Sequence, residues 1–304
     1  MKIRKNNSYA PTDHAYLLTL SELAKPPKNL YVMGDLPKTR LPSVAIVGTR
    51  KPSAYGKEVT YNLAHALASK GVVIISGLAY GIDAIAHQAA LDANGTTIAV
   101  LANGLHKVYP SRHEKLAQDI VKGGGALITE YDTGEEAMRH HFLARNRIVS
   151  GLADVVIVTE AADQSGTLST VGHAIDQNKE VCAIPGPITS QLSVGPNRLL
   201  QQGAHVVLSA DDILRLIAPS LETTQQLLPF GNTPLENRII TLIYEGARDT
   251  DELLKACEVP SSEFLQSLTM LELAGTIRHI GGQQWALSTP VGPATPDHRK
   301  PLQI

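Results

Sequence analysis

The chain has 304 residues, 43% of them hydrophobic and 18% charged, with 27 Lys and Arg against 29 Asp and Glu for a net charge of −2. This length and composition fit a globular protein with one large and one small domain, and they do not fit a disordered or fibrous chain. The near-neutral balance excludes a surface coated in positive charge, so any contact with nucleic acid has to come from a local patch.

Residues 1–42 are thin in apolar periodicity and are expected to form an N-terminal arm. From residue 43 to 218 short apolar runs recur at Ser43–Val47, Val72–Ser76, Thr97–Leu101, Ala126–Thr129, Asp154–Thr159, Glu180–Ile184 and His205–Leu208. They lack alternation, as expected of strands buried on both faces of a parallel sheet. Helical patterns such as Lys57–Ser69, Ile82–Asp92, His113–Val121 and Leu168–Gln177 separate them. Strand and helix in alternation predict an open, doubly wound α/β domain with a mostly parallel sheet. Residues 219–232, with Pro219, Pro229 and Gly231, read as a linker. Three helical patterns follow at Pro234–Tyr244, Thr250–Cys257 and Ser261–Leu273, then two strands across Gly281-Gly282, which is the winged-helix layout over residues 233–288. Residues 289–304 are rich in Pro, have little to bury, and are expected to be disordered.

Three turns at strand ends carry the pattern of anion sites. In the first, a buried strand ends in Gly48-Thr49-Arg50 and a helix starts near Gly56. Helix N-termini at the carboxyl ends of strands present free amides, with Arg50 as a charged partner. The string is neither a dinucleotide fingerprint nor a P-loop, because Glu58 stands where a Mg²⁺-binding hydroxyl is needed. A structural pairing of Arg50 with a carboxylate is the competing reading. The second turn, Ser76-Gly77-Leu-Ala-Tyr-Gly81-Ile-Asp83, brings two glycines and a Ser to a strand exit. Asp83 is expected to cap the following helix, and Asp83 with His87 lacks the nucleophile that catalysis needs. In the third turn, Ser165-Gly166-Thr167 opens a helix with small residues that suit a phosphate. A further Gly/Pro/Ser loop, Ala183–Arg198, either carries function or crosses between layers.

Arg139, His140, His141, Phe142, Arg145 and Arg147 fall within nine positions of a chain that has only three Phe. Guanidinium groups for phosphates beside a ring for a base are what a single strand requires. A solvated helix with Phe142 turned to the core is the alternative, and it is the company of the three turns that favours the first reading. Two distant cysteines, Cys182 and Cys257, argue against a disulfide framework or a Cys-based zinc site and for a reducing interior. His140 and His141 are adjacent, hence on different helix faces, so neither metal nor cofactor is expected. The N-terminus has charge but no apolar core behind it, and no apolar run approaches a membrane span. A cytoplasmic protein without a membrane partner is expected. In the winged helix, the third helix carries Glu263 and Glu272 and no Lys or Arg, which suits a protein partner better than duplex DNA.

Taken together the strings Val47-Gly-Thr-Arg-Lys-Pro-Ser-x-Tyr-Gly56, Ser76-Gly-Leu-Ala-x-Gly-Ile-Asp83, Arg145-Asn-Arg-Ile-Val-Ser-Gly-Leu152, and Ala183-Ile-Pro-Gly186 followed by Gly195-Pro-Asn-x-Leu-Leu-x-x-Gly-Ala204 closely resemble the DNA-processing family called DprA or Smf. Pro26–Gly34 is similar to that family's lead-in to its first strand. The resemblance implies an extended Rossmann-like domain that dimerises, and a non-enzymatic binder of single-stranded DNA. It also implies protection of incoming DNA during natural transformation and loading of a RecA-type recombinase. Carried over by position, the strand-binding candidates are Arg50, Arg139, Phe142, Ser165, Gly166 and Thr167. Arg145 and Arg147 match the family string as well, with an architectural role left open for one of them. Gly48, Thr49, Ser76, Gly77 and Gly81 are the candidate phosphate-loop residues. Many relatives carry a helical N-terminal domain, and the stretch before Ser43 is too short to hold one, so functions of that domain are not expected here. The rival reading is an enzyme, since the Ser-Gly-Thr turn is similar to that of nucleoside-monophosphate phosphoribohydrolases. Their catalytic Glu is missing after Thr167, and Glu160 lies on the wrong side of the turn, which suits a structural partner. A scaffold for the recombinase without strand binding is the third class.

Overall fold

A computed structural model describes residues 7–163, 165–217, 231 and 233–287. The chain divides into two compact units between Thr223 and Thr224. The expected linker, apart from Gly231 at its end, and the expected tail lie outside the described residues.

The first unit is a nine-stranded sheet. Its strands are β1 (Asn7–Tyr9), β2 (Leu30–Gly34), β3 (Ser43–Val47), β4 (Val73–Ser76), β5 (Thr97–Val100), β6 (Ala126–Thr129), β7 (Val155–Val158), β8 (Glu180–Ala183) and β9 (His205–Val206), in the order β1-β2-β6-β5-β4-β3-β7-β8-β9. The run from β6 through β9 is parallel, while β1 and β2 pair antiparallel at one edge. The helices are α1 (Ala54–Ser69), α2 (Ile82–Asp92), α3 (Glu114–Lys122), α4 (Arg139–Leu152), α5 (Thr167–Asp176), α6 (Val194–Gln201) and α7 (Ala210–Ile217). Successive strand residues point to opposite faces. Ala45 and Val47 therefore pack with α4 and α5, whereas Val44 and Ile46 pack with α1, α2 and α7. This is the doubly wound, Rossmann-like class expected from the continuous apolar strands.

The expectation of an N-terminal arm is corrected. A 3₁₀-helical stretch, Ala15–Glu22, buries Tyr16, Leu17 and Leu20 completely against α4, and β2 pairs with β6. Tyr16 Oη is 2.8 Å from Ser43 Oγ, and Asp154 joins the two ends by accepting from Arg40 at 2.6 Å and from the Ser43 amide at 2.8 Å. Eight residues with three buried side chains make too short a window for a helical period to show.

The second unit has its own core, with Ile239, Ile240, Leu253, Phe264, Leu268, Leu271, Ile277 and Trp285. Helices α8 (Pro234–Tyr244), α9 (Thr250–Cys257) and α10 (Ser261–Leu273) precede the antiparallel pair β10 (Ile277–Gly281) and β11 (Gln284–Leu287), a winged helix. Thr233 and Asp249 cap α8 and α9 by accepting from Glu236 and from Asp251 and Glu252 backbone amides. No described helix is long and apolar enough to cross a membrane.

Candidate functional site

From β3 the chain winds outward through β4, β5 and β6, then returns along α4 to β7 on the other side of β3. The loops leaving β3 and β7 therefore diverge, and their parting opens a crevice at the carboxyl ends of the strands. A cavity of about 950 Å³ lies there, lined by the loops after β3 to β8 and by the first three turns of α4.

The loop after β3 is closed by the chain itself. Ser53 caps α1, its Oγ accepting from the Gly56 amide at 3.1 Å. The buried Glu160 carboxylate accepts from the Ser53 amide at 2.9 Å and from Ser53 Oγ at 2.5 Å. A Cβ at Gly56 would collide with that carboxylate, so glycine is required for the close approach. The Thr49 amide donates to the Glu160 carbonyl at 2.7 Å, and the Lys51 amide to Thr49 Oγ1 at 3.2 Å. The anion expected at this helix N-terminus is thus the protein's own Glu160. Glu160 does not line the cavity and is spoken for by Ser53.

The loop after β4 is closed in the same way. Gly81, in the left-handed region at φ 80°, is the cap residue of α2 and lies against the backbone of Thr49 and Arg50. Asp83, expected as that cap, instead reaches back and accepts from the Gly77 amide at 3.0 Å and the Ala79 amide at 3.3 Å. Ser76 is buried and donates to the Ile46 carbonyl at 2.7 Å. The expectation of an amide cradle at Gly48, Thr49, Ser76, Gly77 and Gly81 is therefore corrected at Ser76 and Gly81. Gly48, Thr49 and Gly77 line the cavity, Ser76 and Gly81 do not, and the Thr49 and Gly77 amides already have acceptors. Catalysis by Asp83 with His87 has no geometry either, because the His87 ring bonds Thr97 Oγ1 at 2.7 Å.

Beneath this loop lies Arg145, 5% exposed, donating to the Gly77 carbonyl at 2.7 Å and to the Val100 carbonyl. It faces Asp83, whose carboxyl burial pushes above its usual range against the pull of Arg145. Arg145 is the floor of the cavity and ties β4 to β5. Arg147 points elsewhere. It holds Glu130 with both terminal nitrogens, at 2.9 and 2.6 Å, donates to the Lys25 carbonyl at 3.1 Å, and lies outside the cavity. The structure thus separates the cluster of adjacent cations that the sequence presents together.

What remains on the cavity wall is a ring of side chains. Arg50 and Lys51 from the β3 loop and Arg139 from the start of α4 are exposed, and none is paired with a carboxylate among the described residues. The Arg50 guanidinium lies 5.7 Å from the Phe142 ring centroid, a cation–π contact that orders both. Phe142 in turn tilts against Tyr109 at 5.5 Å. Phe142 is half-buried on the cavity wall and not in the core, which excludes the core-facing alternative. Ser165, Gly166 and Thr167 complete the opposite wall, where Ser165 Oγ accepts from the Thr167 amide at 3.2 Å and space is open above Gly166. Lys51 and Tyr109 stand outside the expectations from sequence. The only sequence signal for Tyr109 is an aromatic beside Pro110 in the loop that leaves β5. His141 is buried and stacks on Tyr131 at 4.0 Å, and no cluster of metal-binding side chains occurs among the described residues.

Two family models match. The model of the DNA recombination-mediator protein A matches residues 7–218, and that of the DprA winged helix domain matches residues 222–283. This chain belongs to the DNA recombination-mediator protein A family. Among the relatives of this chain, Protein Smf of Escherichia coli is 37% identical over 270 residues, covering 84% of this chain and 71% of that protein. The structure is similar to the DNA processing protein A of Streptococcus pneumoniae, with a TM-score of 0.65 and 40% identity over 70% of this chain and 75% of that one. It is also similar to the DNA processing protein A of Helicobacter pylori, described for its single-stranded DNA binding mode, with a TM-score of 0.59 and 35% identity over 65% of this chain and 90% of that one. The match to the first model begins at residue 7, which agrees with a stretch before β3 that belongs to the domain.

Proposed function

We propose that the cavity binds single-stranded DNA without sequence preference, and that the protein protects the strand and hands it to a RecA-type recombinase. The carrying observation is the wall of exposed cations Arg50, Lys51 and Arg139 around the braced ring of Phe142. Phosphates take the cations and a base takes the ring, an arrangement indifferent to base identity because every base has a stacking face. Ser165, Gly166 and Thr167 fit the role of a second phosphate wall. The single-strand binding described for the Helicobacter pylori protein supports the same reading. The recombinase, a homodimer and a cytoplasmic setting belong to the same proposal, and membership of the family supports them. The hydrolase alternative is not favoured, since of the carboxylates before the turn Glu160 is held by Ser53 and Asp163 pairs with Arg198, and neither lines the cavity.

Fluorescence anisotropy with labelled oligo-dT at several salt concentrations tests this reading. Three phosphate contacts give a slope of log affinity against log salt of about −2 for single strands. Arg50→Ala is expected to flatten that slope by about 0.7. Phe142→Ala is expected to weaken binding by about 1–3 kcal/mol with the slope unchanged. Equal affinity for duplex and single strand, or no binding by the wild type, overturns it.

A further inference from the structure

Four tyrosines of the described structure are exposed: Tyr55, Tyr61, Tyr80 and Tyr109. Two of them spend their hydroxyls on the protein, Tyr55 on the Pro185 carbonyl at 2.7 Å and Tyr61 on Asp92 at 2.9 Å. Tyr80 and Tyr109 make no hydrogen bond among the described residues. Each is braced instead by a second ring. Tyr109 leans on Phe142, and Tyr80 meets His113 edge-on at 5.0 Å with an interplanar angle of 70°. His113 is itself fixed, its Nδ1 donating to the Leu78 carbonyl at 2.8 Å. An edge-to-face partner orders a ring and leaves at least one of its faces clear, which is the condition for stacking a ligand ring.

The placement of Tyr80 is not that of a stray surface residue. It lies in the loop after β4, between Ala79, which lines the cavity, and Gly81, which packs on the backbone of Arg50. The loop after β5 serves both aromatic pairs, with Tyr109 on the cavity and His113 four residues on against Tyr80. Tyr80 itself is not part of the cavity wall. Exposed Arg112, next to His113, and Lys51, on the cavity rim, have no carboxylate partner among the described residues. We propose that Tyr80 is a second base-stacking platform, outside the cavity, over which the single strand leaves the Phe142 subsite with Lys51 and Arg112 on its phosphates. The proposal rests on the single-strand reading of the cavity.

Oligo-dT of increasing length separates the two platforms, since a short oligomer fills the cavity alone and a longer one reaches the exit. Phe142→Ala is expected to weaken binding at every length. Tyr80→Ala is expected to leave the shortest oligomer unaffected and to weaken longer ones by about tenfold to a hundredfold, the range of one base–aromatic stack. Tyr80→Phe keeps the wild-type affinity, because the ring face and not the hydroxyl makes the contact. In Tyr80→Trp, long oligo-dT quenches the new indole and the short oligomer does not. Wild-type affinity of Tyr80→Ala at all lengths overturns the proposal, as does a loss already present at the shortest length or an equal loss in Tyr80→Phe. Failure of the wild type to bind any oligomer instead overturns the single-strand reading itself.

Discussion

Arg50 and Arg145 carry the same guanidinium, and burial sets them different tasks. Arg145 has its hydrogen bonds made before any ligand arrives, to the Gly77 and Val100 carbonyls and opposite the buried Asp83. Arg50 has only the face of Phe142. Removing the buried guanidinium leaves the Gly77 and Val100 carbonyls without their donor, at about 1–3 kcal/mol for each unsatisfied buried group. Arg145→Ala is therefore expected to lose about the sum of these two costs in urea unfolding. Arg50→Ala should stay within about 0.5 kcal/mol of wild type, as surface substitutions do, while losing strand affinity. Unchanged unfolding of Arg145→Ala would mean that water replaces the guanidinium and that this floor is not a structural tie. The sequence places both arginines in strings that carry the family resemblance, with identical chemistry, so this division of labour cannot be read there. The same holds for Glu160, which meets Ser53 from 107 residues away and fills the amide site that the β3 loop advertises.

At the scale of elements, what was legible had a period or a punctuation mark. The apolar runs at Ser43–Val47 and Ala126–Thr129 and the three helices of the winged helix fall where their patterns put them. The stretch around Tyr16 does not, because its stability comes from Ser43, Asp154 and α4 and not from its own pattern. The contact between α2 and β5 gives a measurable consequence. Thr97 Oγ1 donates its one proton to the Ile74 carbonyl at 2.8 Å, so His87 Nδ1 is the donor in the 2.7 Å contact with Thr97. His87 Nε2 then carries the lone pair and has no partner among the described residues. Protonation there would bury a charge and an unpaired N–H together, and burial brings the His87 pKa down to about 3. A histidine with a depressed folded pKa contributes stability above its unfolded value of about 6.5, and that stability is lost as pH falls from there toward the folded value. Between pH 7 and 5 this group is expected to remove about 2 kcal/mol from the unfolding free energy. His87→Asn should lack that part of the pH slope whatever its absolute stability. Equal slopes in urea titrations of the two proteins would show that His87 titrates alike in both states.

At the scale of the whole molecule, a net charge of −2 coexists with a cavity wall that carries Arg50, Lys51 and Arg139, so the proposed binding chemistry is local. It is also confined to one unit. Arg50, Lys51, Tyr109, Arg139, Phe142 and Ser165–Thr167 all belong to the sheet unit, whose hydrophobic clusters share no residue with the core around Phe264 and Trp285. The winged helix offers little to a phosphate backbone through α10, where Leu265 and Leu273 are exposed beside Glu263 and Glu272. Where the two units act independently, their contributions add. A chain ending at Ile217 is accordingly expected to unfold as one cooperative unit and to bind oligo-dT within about twofold of the full chain, with the same salt slope. Anisotropy on both chains measures this directly. A truncated chain that folds but has a shallower slope would place some of the phosphate contacts on the winged helix, whose candidates are then Lys255 and Arg278, because cation contacts alone set that slope.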